Sequence, residues 1–390
     1  MTAVPAGVSV LLAVALGWAV PAITMRALAP VLDGGALRRP NFRGRIVVPY
    51  LGLAWVVWAI ALVALQGVLD LLLGIAGGTA GFGEVVERFW TTPLALPFFV
   101  VPFMLVTGSA VIGLADDAFG GTHSVGGTVV PRGFKGHLGA FRGGTVTTGT
   151  LKMLGIGALA LFYGVSAADG VLERSALPQA WAGSWVPLAM AALLATLVIA
   201  LSANLLNLLD ARPGRALKAY LVLVPAPAVA LALSSTASYN AQVAGFAAET
   251  GMLGLSSWEA SAAAVALVLV LIGPALAVYR FDLGERAMLG DAGSNAMGAI
   301  VGYLLTAVLS LWGLAAAAAI LLGLNLLSER VSFSSVIDRT PPLRWLDRLG
   351  RLPEDVGAAD TMVAGDPQIG TPPGASVRYH SDVGDDEGED

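Results

Sequence analysis

The chain has no cysteine, few histidines and few charged residues. The absence of cysteine excludes disulfides and thiol chemistry. The only histidines are His123, His137 and His380, and so small a number argues against a histidine-rich metal site. Charged residues make up 13% of the 390 residues, whereas soluble domains carry about 25%. The composition therefore argues against a soluble protein.

Apolar sequence is abundant instead. Hydrophobic residues make up 56% of the chain and the mean hydropathy is +0.76, which is typical of a protein that crosses a membrane several times. A transmembrane helix needs about 20 apolar residues. We therefore predict an all-α, polytopic membrane helix bundle with about nine transmembrane helices, at approximately 5–27, 46–74, 93–114, 149–167, 185–206, 216–234, 261–279, 289–311 and 313–327.

Basic residues are distributed unevenly among the loops between these segments. One alternating set of loops carries 18 of the 22 lysines and arginines, and the opposite set carries only Arg88 and Arg174. Because cytoplasmic loops carry the excess of Lys and Arg, we predict a multi-pass plasma-membrane protein with its N-terminus outside and its C-terminus in the cytoplasm. Residues 1–20 contain no Lys or Arg, which argues against a cleaved signal peptide.

The composition changes near the C-terminus. Residues 353–390 are rich in Gly, Pro, Asp and Thr and end in an acidic run. Such a segment cannot bury enough apolar surface to order itself. We therefore predict a membrane domain over residues 1–352 and a disordered acidic cytoplasmic tail over residues 353–390.

Three segments put carboxylates at the ends of predicted spans, all on the predicted cytoplasmic side. Asp116 and Asp117 are adjacent, Asp210 follows the fifth span, and Asp291 begins the eighth. A carboxylate near hydrocarbon is costly and usually marks a functional site, and two adjacent carboxylates favour a cation or a shared proton. Magnesium suits such a place because it takes one or two carboxylates and completes its shell with phosphate oxygens and water. The segments together predict a metal-phosphate site.

Each segment also has a structural interpretation. The aspartate pair could be a solvated turn, and Asp291 could cap its helix. Asn204, Asn207 and Asp210 recur every three residues and share a helical stripe. Such polar stripes also hold transmembrane helices together.

The sequence after Asp210 favours a function. The break Ala211-Arg-Pro-Gly214 ends the helix and exposes backbone groups beside Arg212 and Arg215, as a nucleotide or phosphate pocket requires.

Taken in order, these segments resemble the polyprenyl-phosphate N-acetylhexosamine-1-phosphate transferases. That superfamily includes phospho-N-acetylmuramoyl-pentapeptide transferase of peptidoglycan synthesis. The resemblance runs from about Pro40 to Arg351. It rests on the pair Asp116-Asp117, on Lys152 at the start of the next helix, on Asn204-x-x-Asn207-x-x-Asp210 and on Gly290-Asp-Ala-Gly-Ser294.

The resemblance implies a phosphoglycosyltransferase of cell-wall glycan synthesis. Such an enzyme transfers a sugar-1-phosphate from a UDP-N-acetylhexosamine to undecaprenyl phosphate and releases UMP, with Mg²⁺ as cofactor. We expect a UDP-sugar, a polyprenyl phosphate and the membrane as partners and no nucleic acid, and we leave a homodimer open. The expected roles are catalysis by Asp116, Asp117 and Lys152, Mg²⁺ binding by Asn207 and Asp291, and substrate binding by Asn204, Asp210, Arg212 and Arg330.

The chain departs from the family pattern at three places. Pro213 replaces a second aspartate, Gly120 replaces a basic residue, and Ser328–Ser334 replaces a histidine cluster. Arg330, in that last loop, is a candidate phosphate donor because a guanidinium binds phosphate bidentately; the alternative is an arginine that serves only membrane topology.

These departures motivate a second hypothesis, a non-catalytic relative that binds lipid phosphate or envelope-assembly partners. A transporter is less favoured, because transporters place such acids near the membrane midplane.

Overall fold

The computed structural model describes residues 6–33, 38–76, 101–120, 133–181, 183–250 and 256–352. Helix dominates these ranges, as expected for apolar sequence whose backbone groups must bond to one another in lipid. The predicted tail at 353–390 lies outside the described residues. The helices are α1 (Ala6–Val14), α2 (Val20–Asp33), α3 (Leu53–Ala76), α4 (Val101–Phe119), α5 (Gly133–Arg142), α6 (Thr148–Glu173), α7 (Val186–Leu209), α8 (Arg215–Leu223), α9 (Pro225–Thr250), α10 (Ser257–Leu283), α11 (Gly290–Val308), α12 (Leu311–Ser328), α13 (Phe333–Arg339) and α14 (Pro341–Arg348).

Three short elements complete the described chain. A π-helical turn, Ala15–Ala19, joins α1 to α2, and a 3₁₀ turn, Gln179–Trp181, precedes α7. The strands β1 (Arg39–Pro40) and β2 (Ile46–Val47) form an antiparallel hairpin, with Arg39 opposite Val47.

Within the described residues, seven helical stretches are long and apolar enough to cross a membrane. The chain is therefore an all-α, multi-pass membrane protein, as predicted. The remaining two predicted spans, 46–74 and 289–311, overlap α3 and α11, which are helical but outside this set. The first of them was predicted to start too early, because residues 46 and 47 form strand β2 and the helix begins at Leu53. The seven stretches are Gly7–Leu32, Pro102–Phe119, Thr148–Glu173, Val186–Leu209, Arg215–Ser238, Ser257–Leu283 and Leu311–Ser328.

The predicted span at 216–234 lies within the apolar stretch Arg215–Ser238, which two consecutive helices form. Helix α8 ends at Leu223, and α9 begins at Pro225 and continues to Thr250. Proline lacks an N–H and has a φ suited to the first turn of a helix, so Pro225 starts a new helix. The following helical segment is longer than hydropathy indicated.

Helix α11 lies at the centre of the bundle, where it packs against α4 and α7. All residues from Ala292 to Gly302 are buried. A Cβ at Gly298 would lie 2.4 Å from Cα of Ala203, so the glycine permits the close approach of α11 and α7. Neighbouring helices therefore cover this small-residue helix, whose own hydropathy is too low to identify it as a lipid-facing span.

The chain segment before α3 runs beside the start of α11. The backbone N–H of Met288 donates to the carbonyl of Val48 at 3.0 Å, and the N–H groups of Leu51 and Gly52 donate to the carbonyls of Met288 and Leu289 at 3.2 and 3.1 Å. These bonds bring the β1–β2 hairpin to the end of the bundle where α11 begins.

Helices α13 and α14 are tied to the region after α7 by buried charges. The Arg215 guanidinium lies 2.8 Å from Oδ1 of Asp347, and Nη2 of Arg351 lies 3.2 Å from the same oxygen. Nζ of Lys218 donates to the backbone carbonyls of Asp347 and Leu346 at 2.6 and 2.9 Å. Burial favours the neutral acid, but the hydrogen bond and charge of Arg215 outweigh burial and hold the pKa of Asp347 below its ordinary value.

Candidate active site

Lys152 connects two of the acidic segments. Its Nζ lies 2.8 Å from Oδ2 of Asp116 and 2.5 Å from Oδ2 of Asp291. Thr147 caps α6 by accepting a hydrogen bond from the backbone N–H of Thr150 at 3.1 Å, which fixes the helix start that carries Lys152. One ammonium therefore bridges two carboxylates, from helices α4 and α11.

Asn207 joins this network from α7. Its Nδ2 donates to Oδ1 of Asp291 at 2.7 Å and to Oγ of Ser294 at 3.0 Å, and its Oδ1 lies 3.5 Å from Nζ of Lys152. Both oxygens of Asp291 are therefore engaged, one by an amide and the other by an ammonium. Four helices contribute to the Lys152 cluster, which we define as Asp116, Asp117, Lys152, Asn207 and Asp291.

Asp117 has a different environment from Asp116. Its two carboxylate oxygens accept hydrogen bonds from the backbone N–H groups of Asp291 and Ala292, at 3.0 and 3.1 Å. These groups lie at the start of α11, where backbone N–H groups lack helical partners and favour a negative charge. Asp117 thus anchors α11 against α4, while Asp116 meets Lys152.

Gly290 is the residue that permits this anchoring. Its φ of +71° is in the left-handed region, and a Cβ there would lie 2.6 Å from Oδ2 of Asp117. Only glycine adopts that backbone conformation without strain, and only the absence of a side chain leaves room for the carboxylate.

We therefore expect Gly290→Ala to lower the thermal unfolding midpoint of the purified protein in detergent, because the methyl group displaces Asp117 and strains the backbone. Gly157→Ala is the matched control, since no atom outside its own helix backbone lies within 4 Å of a Cβ at Gly157 and alanine favours the helix. Equal midpoints for the two variants would show that Gly290 is not needed for the contact.

Two members of the Lys152 cluster, Asp117 and Asp291, line a cavity of about 210 Å³, whereas Asp116, Lys152 and Asn207 are not part of its lining. Its lining includes hairpin residues, residues that follow α7 and residues at the start of α11, and its acidic lining residues are Asp117, Asp210, Asp282, Glu285 and Asp291. Burial, followed by the charge of Asp282, raises the pKa of Asp210 well above its ordinary value. A cation bound in the cavity would relieve this concentration of carboxylates.

Two acidic residues of the cavity, Asp282 and Glu285, were missed by the sequence analysis. Asp282 is buried and accepts hydrogen bonds from the backbone N–H groups of Gly214 and Leu289, at 2.5 and 3.0 Å. It therefore joins the loop after α7 to the loop before α11. The available signal was an acid at the end of an apolar helix, the same signal that identified Asp210.

The other predicted site residues have separate partners or positions. Nδ2 of Asn204 donates to Oδ1 of Asn325 at 2.6 Å, a contact between α7 and α12. Arg212 lines the cavity and also donates two hydrogen bonds to Asp338, at 2.9 and 2.8 Å. Arg330 is exposed and is not part of the cavity lining. The substrate-binding roles of Asn204, Asp210, Arg212 and Arg330 stay predictions.

The residues expected to hold magnesium have suitable chemistry. No group of three or more His, Cys, Asp or Glu side chains arranged to hold a metal occurs in the described ranges. Magnesium needs only one or two protein carboxylates when phosphate and water complete its shell, and Asp291 with the amide oxygen of Asn207 offers oxygen ligands of the right kind. Lys152 contacts the same atoms, so its ammonium and a divalent cation would compete for them.

Comparison with known proteins leaves the family resemblance as an expectation from sequence. No protein-family model matches the chain, and no curated protein matches it significantly.

Proposed function

We propose that this protein is a phosphoglycosyltransferase that transfers a sugar-1-phosphate from a UDP-N-acetylhexosamine to a polyprenyl phosphate such as undecaprenyl phosphate, releasing UMP. The observation that carries the proposal is the Lys152 cluster. Its residues are separated by up to 175 positions in sequence and nevertheless form one hydrogen-bonded network, two of whose members, Asp117 and Asp291, line the cavity. Residues from each of the motifs that resemble those of the transferases therefore lie together, which supports a single site.

Sidedness supports a cytoplasmic site at the plasma membrane. The loops that flank the Lys152 cluster belong to the set that carries 18 of the 22 basic residues, and such loops are retained in the cytoplasm. A UDP-sugar is a soluble cytoplasmic donor, and the polyprenyl phosphate presents its head group at the membrane surface. A site at the membrane face can bind both.

The reaction joins a phosphate oxygen of the lipid to the β-phosphorus of the UDP-sugar and breaks the bond from that phosphorus to the oxygen of UMP. Asp116 is the better candidate to orient or deprotonate the lipid phosphate, because the oxygens of Asp117 already bind the start of α11. Lys152 stabilises negative charge beside it. Asn207 and Asp291 would hold Mg²⁺, which neutralises the charge of the diphosphate when bound.

The direct test is a transfer assay with the purified full-length chain, radiolabelled UDP-sugars of several kinds, undecaprenyl phosphate and Mg²⁺. We expect label to enter the lipid phase in step with UMP release, for at least one UDP-N-acetylhexosamine. Omission of the lipid phosphate is the control for simple hydrolysis. Absence of both products with every donor would overturn the proposal.

A non-catalytic relative that binds lipid phosphate is the second candidate. It is favoured by the position of Lys152, whose ammonium already contacts the oxygens of Asp116 and Asp291 that a metal would need. Binding of a prenyl phosphate with no UMP release would support this candidate.

A further inference from the structure

One basic side chain of the cavity has an unsatisfied buried atom. Arg39 lines the cavity, and its Nη2 is shielded from solvent yet has no hydrogen-bond partner among the described residues. A buried N–H of a charged group without an acceptor is costly, and such groups in folded proteins call for a ligand, a water or an ion. The other arginine of the cavity, Arg212, is already bonded to Asp338.

The hairpin β1–β2 holds Arg39 in this position. Arg39 pairs with Val47 across the two strands. Oδ1 of Asn41 accepts hydrogen bonds from the backbone N–H groups of Arg43 and Arg45, at 2.9 and 3.0 Å, and closes the turn between the strands. The backbone of Arg39 is thus defined by local bonds and does not depend on its side chain.

Glu285 pairs with the other arginines of the hairpin, Arg43 and Arg45. Its buried carboxylate lies 3.0 Å from Nε of Arg43 and 3.7 Å from Nη1 of Arg45, and it accepts a hydrogen bond from Nδ2 of Asn41 at 2.9 Å. Glu285 has a φ of +49°, a conformation that costs energy in any residue but glycine and that these bonds maintain. The hairpin is therefore attached to the start of α11 through Glu285, and the charge of Arg39 is left for the cavity.

We infer that Arg39 is an anion-binding residue that contacts a phosphate oxygen of the ligand in this cavity. The inference deepens the proposed function and rests on it for the identity of the ligand. A phosphate that carries a divalent cation matches the cavity: the cation faces the acidic lining, which includes Asp291, and the phosphate meets Arg39. A guanidinium suits the second contact because its planar N–H groups bind two phosphate oxygens at once.

The test is a binding measurement on the purified full-length chain in detergent with Mg²⁺. The probes are inorganic pyrophosphate, UDP-N-acetylglucosamine and farnesyl phosphate. Arg39→Lys keeps the positive charge but loses the planar group, and Arg45→Lys is the matched control in the same hairpin. We expect Arg39→Lys to weaken pyrophosphate and UDP-sugar binding by about 10- to 100-fold, the loss of a charge-assisted hydrogen bond, at an unchanged thermal midpoint, and Arg45→Lys to bind as the wild type does.

The arms of the experiment separate the possible results. A loss confined to farnesyl phosphate would support the inference and identify the anion as the lipid phosphate. Pyrophosphate binding that depends on Arg39, without any UDP-sugar binding, would support the inference and overturn the proposed function. Wild-type affinities in Arg39→Lys, equal losses in Arg45→Lys, or no binding of any probe to the wild type would overturn the inference. Arg330→Lys tests the phosphate donor that the sequence predicted. A loss of binding found only in that variant would also overturn the inference about Arg39.

Discussion

Asparagine in place of Asp291 should abolish sugar-phosphate transfer while the protein stays folded. The substitution keeps the shape of the side chain and one oxygen that Lys152 or Asn207 can still meet. It removes the negative charge on which both the ammonium and a bound Mg²⁺ depend. Loss of a preorganised charge of this kind reduces turnover by about 10³-fold or more.

The measurement is turnover in the radiolabel transfer assay, together with the thermal unfolding midpoint. Asp169→Asn is the matched control, because Asp169 is an exposed carboxylate on α6, the helix that also carries Lys152. Near-wild-type turnover in Asp291→Asn would show that Asp291 has no role in the transfer reaction. Inactivity accompanied by loss of folded protein would instead show that Asp291 has a structural role.

The second large effect is expected at Asp347, which is outside the cavity lining. Asp347→Ala would leave the Arg215 and Arg351 guanidinium groups buried without their counter-charge. Removing one partner of a buried ion pair costs about 3 to 5 kcal/mol. We expect the free energy of unfolding in detergent, measured by denaturant titration, to fall by that amount.

Asp338→Ala is the control for this experiment. Asp338 also pairs with an arginine, Arg212, but both side chains are more exposed than those around Asp347. Ion pairs nearer to solvent contribute about 1 kcal/mol or less, so this variant should lose much less stability. Equal losses for the two variants would contradict the importance of burial at Asp347.

Acidification should lower the free energy of unfolding, as Asp347→Ala does. The pKa of Asp347 is lower in the folded protein than its ordinary value, so its stabilisation is fully present above the unfolded pKa of roughly 4. The stabilisation is lost as the pH falls through the lowered folded pKa. A smaller acid sensitivity in Asp347→Ala than in the wild type would identify this group as the source.

The class of protein follows from the sequence for a simple physical reason. A long apolar run in lipid must satisfy its backbone groups within itself, so it forms a helix wherever it lies in the fold. Seven of the predicted spans therefore coincide with apolar helices of spanning length. The start of α11 was also recognisable, because Gly290 and Asp291 mark a helix beginning after a loop.

The sequence also supplied the members of the Lys152 cluster, but not their contacts. The carboxylates and the amide are visible as polar residues at membrane boundaries, and Lys152 was singled out by the family resemblance. Whether Lys152 pairs with Asp116, Asp291 or both depends on how α4, α6 and α11 pack. No local periodicity contains that information.

The tertiary structure alone decided the roles of three residues. Asp117 anchors the start of α11, since two backbone N–H groups face its carboxylate. Arg212 reaches Asp338, and Arg39 lines the cavity while the more obvious Arg330 stays at the surface. Each outcome depends on which distant segment lies within about 3 Å of the side chain. That distance is set by the packing of the whole bundle, whereas the helical character of each segment is set by its own residues.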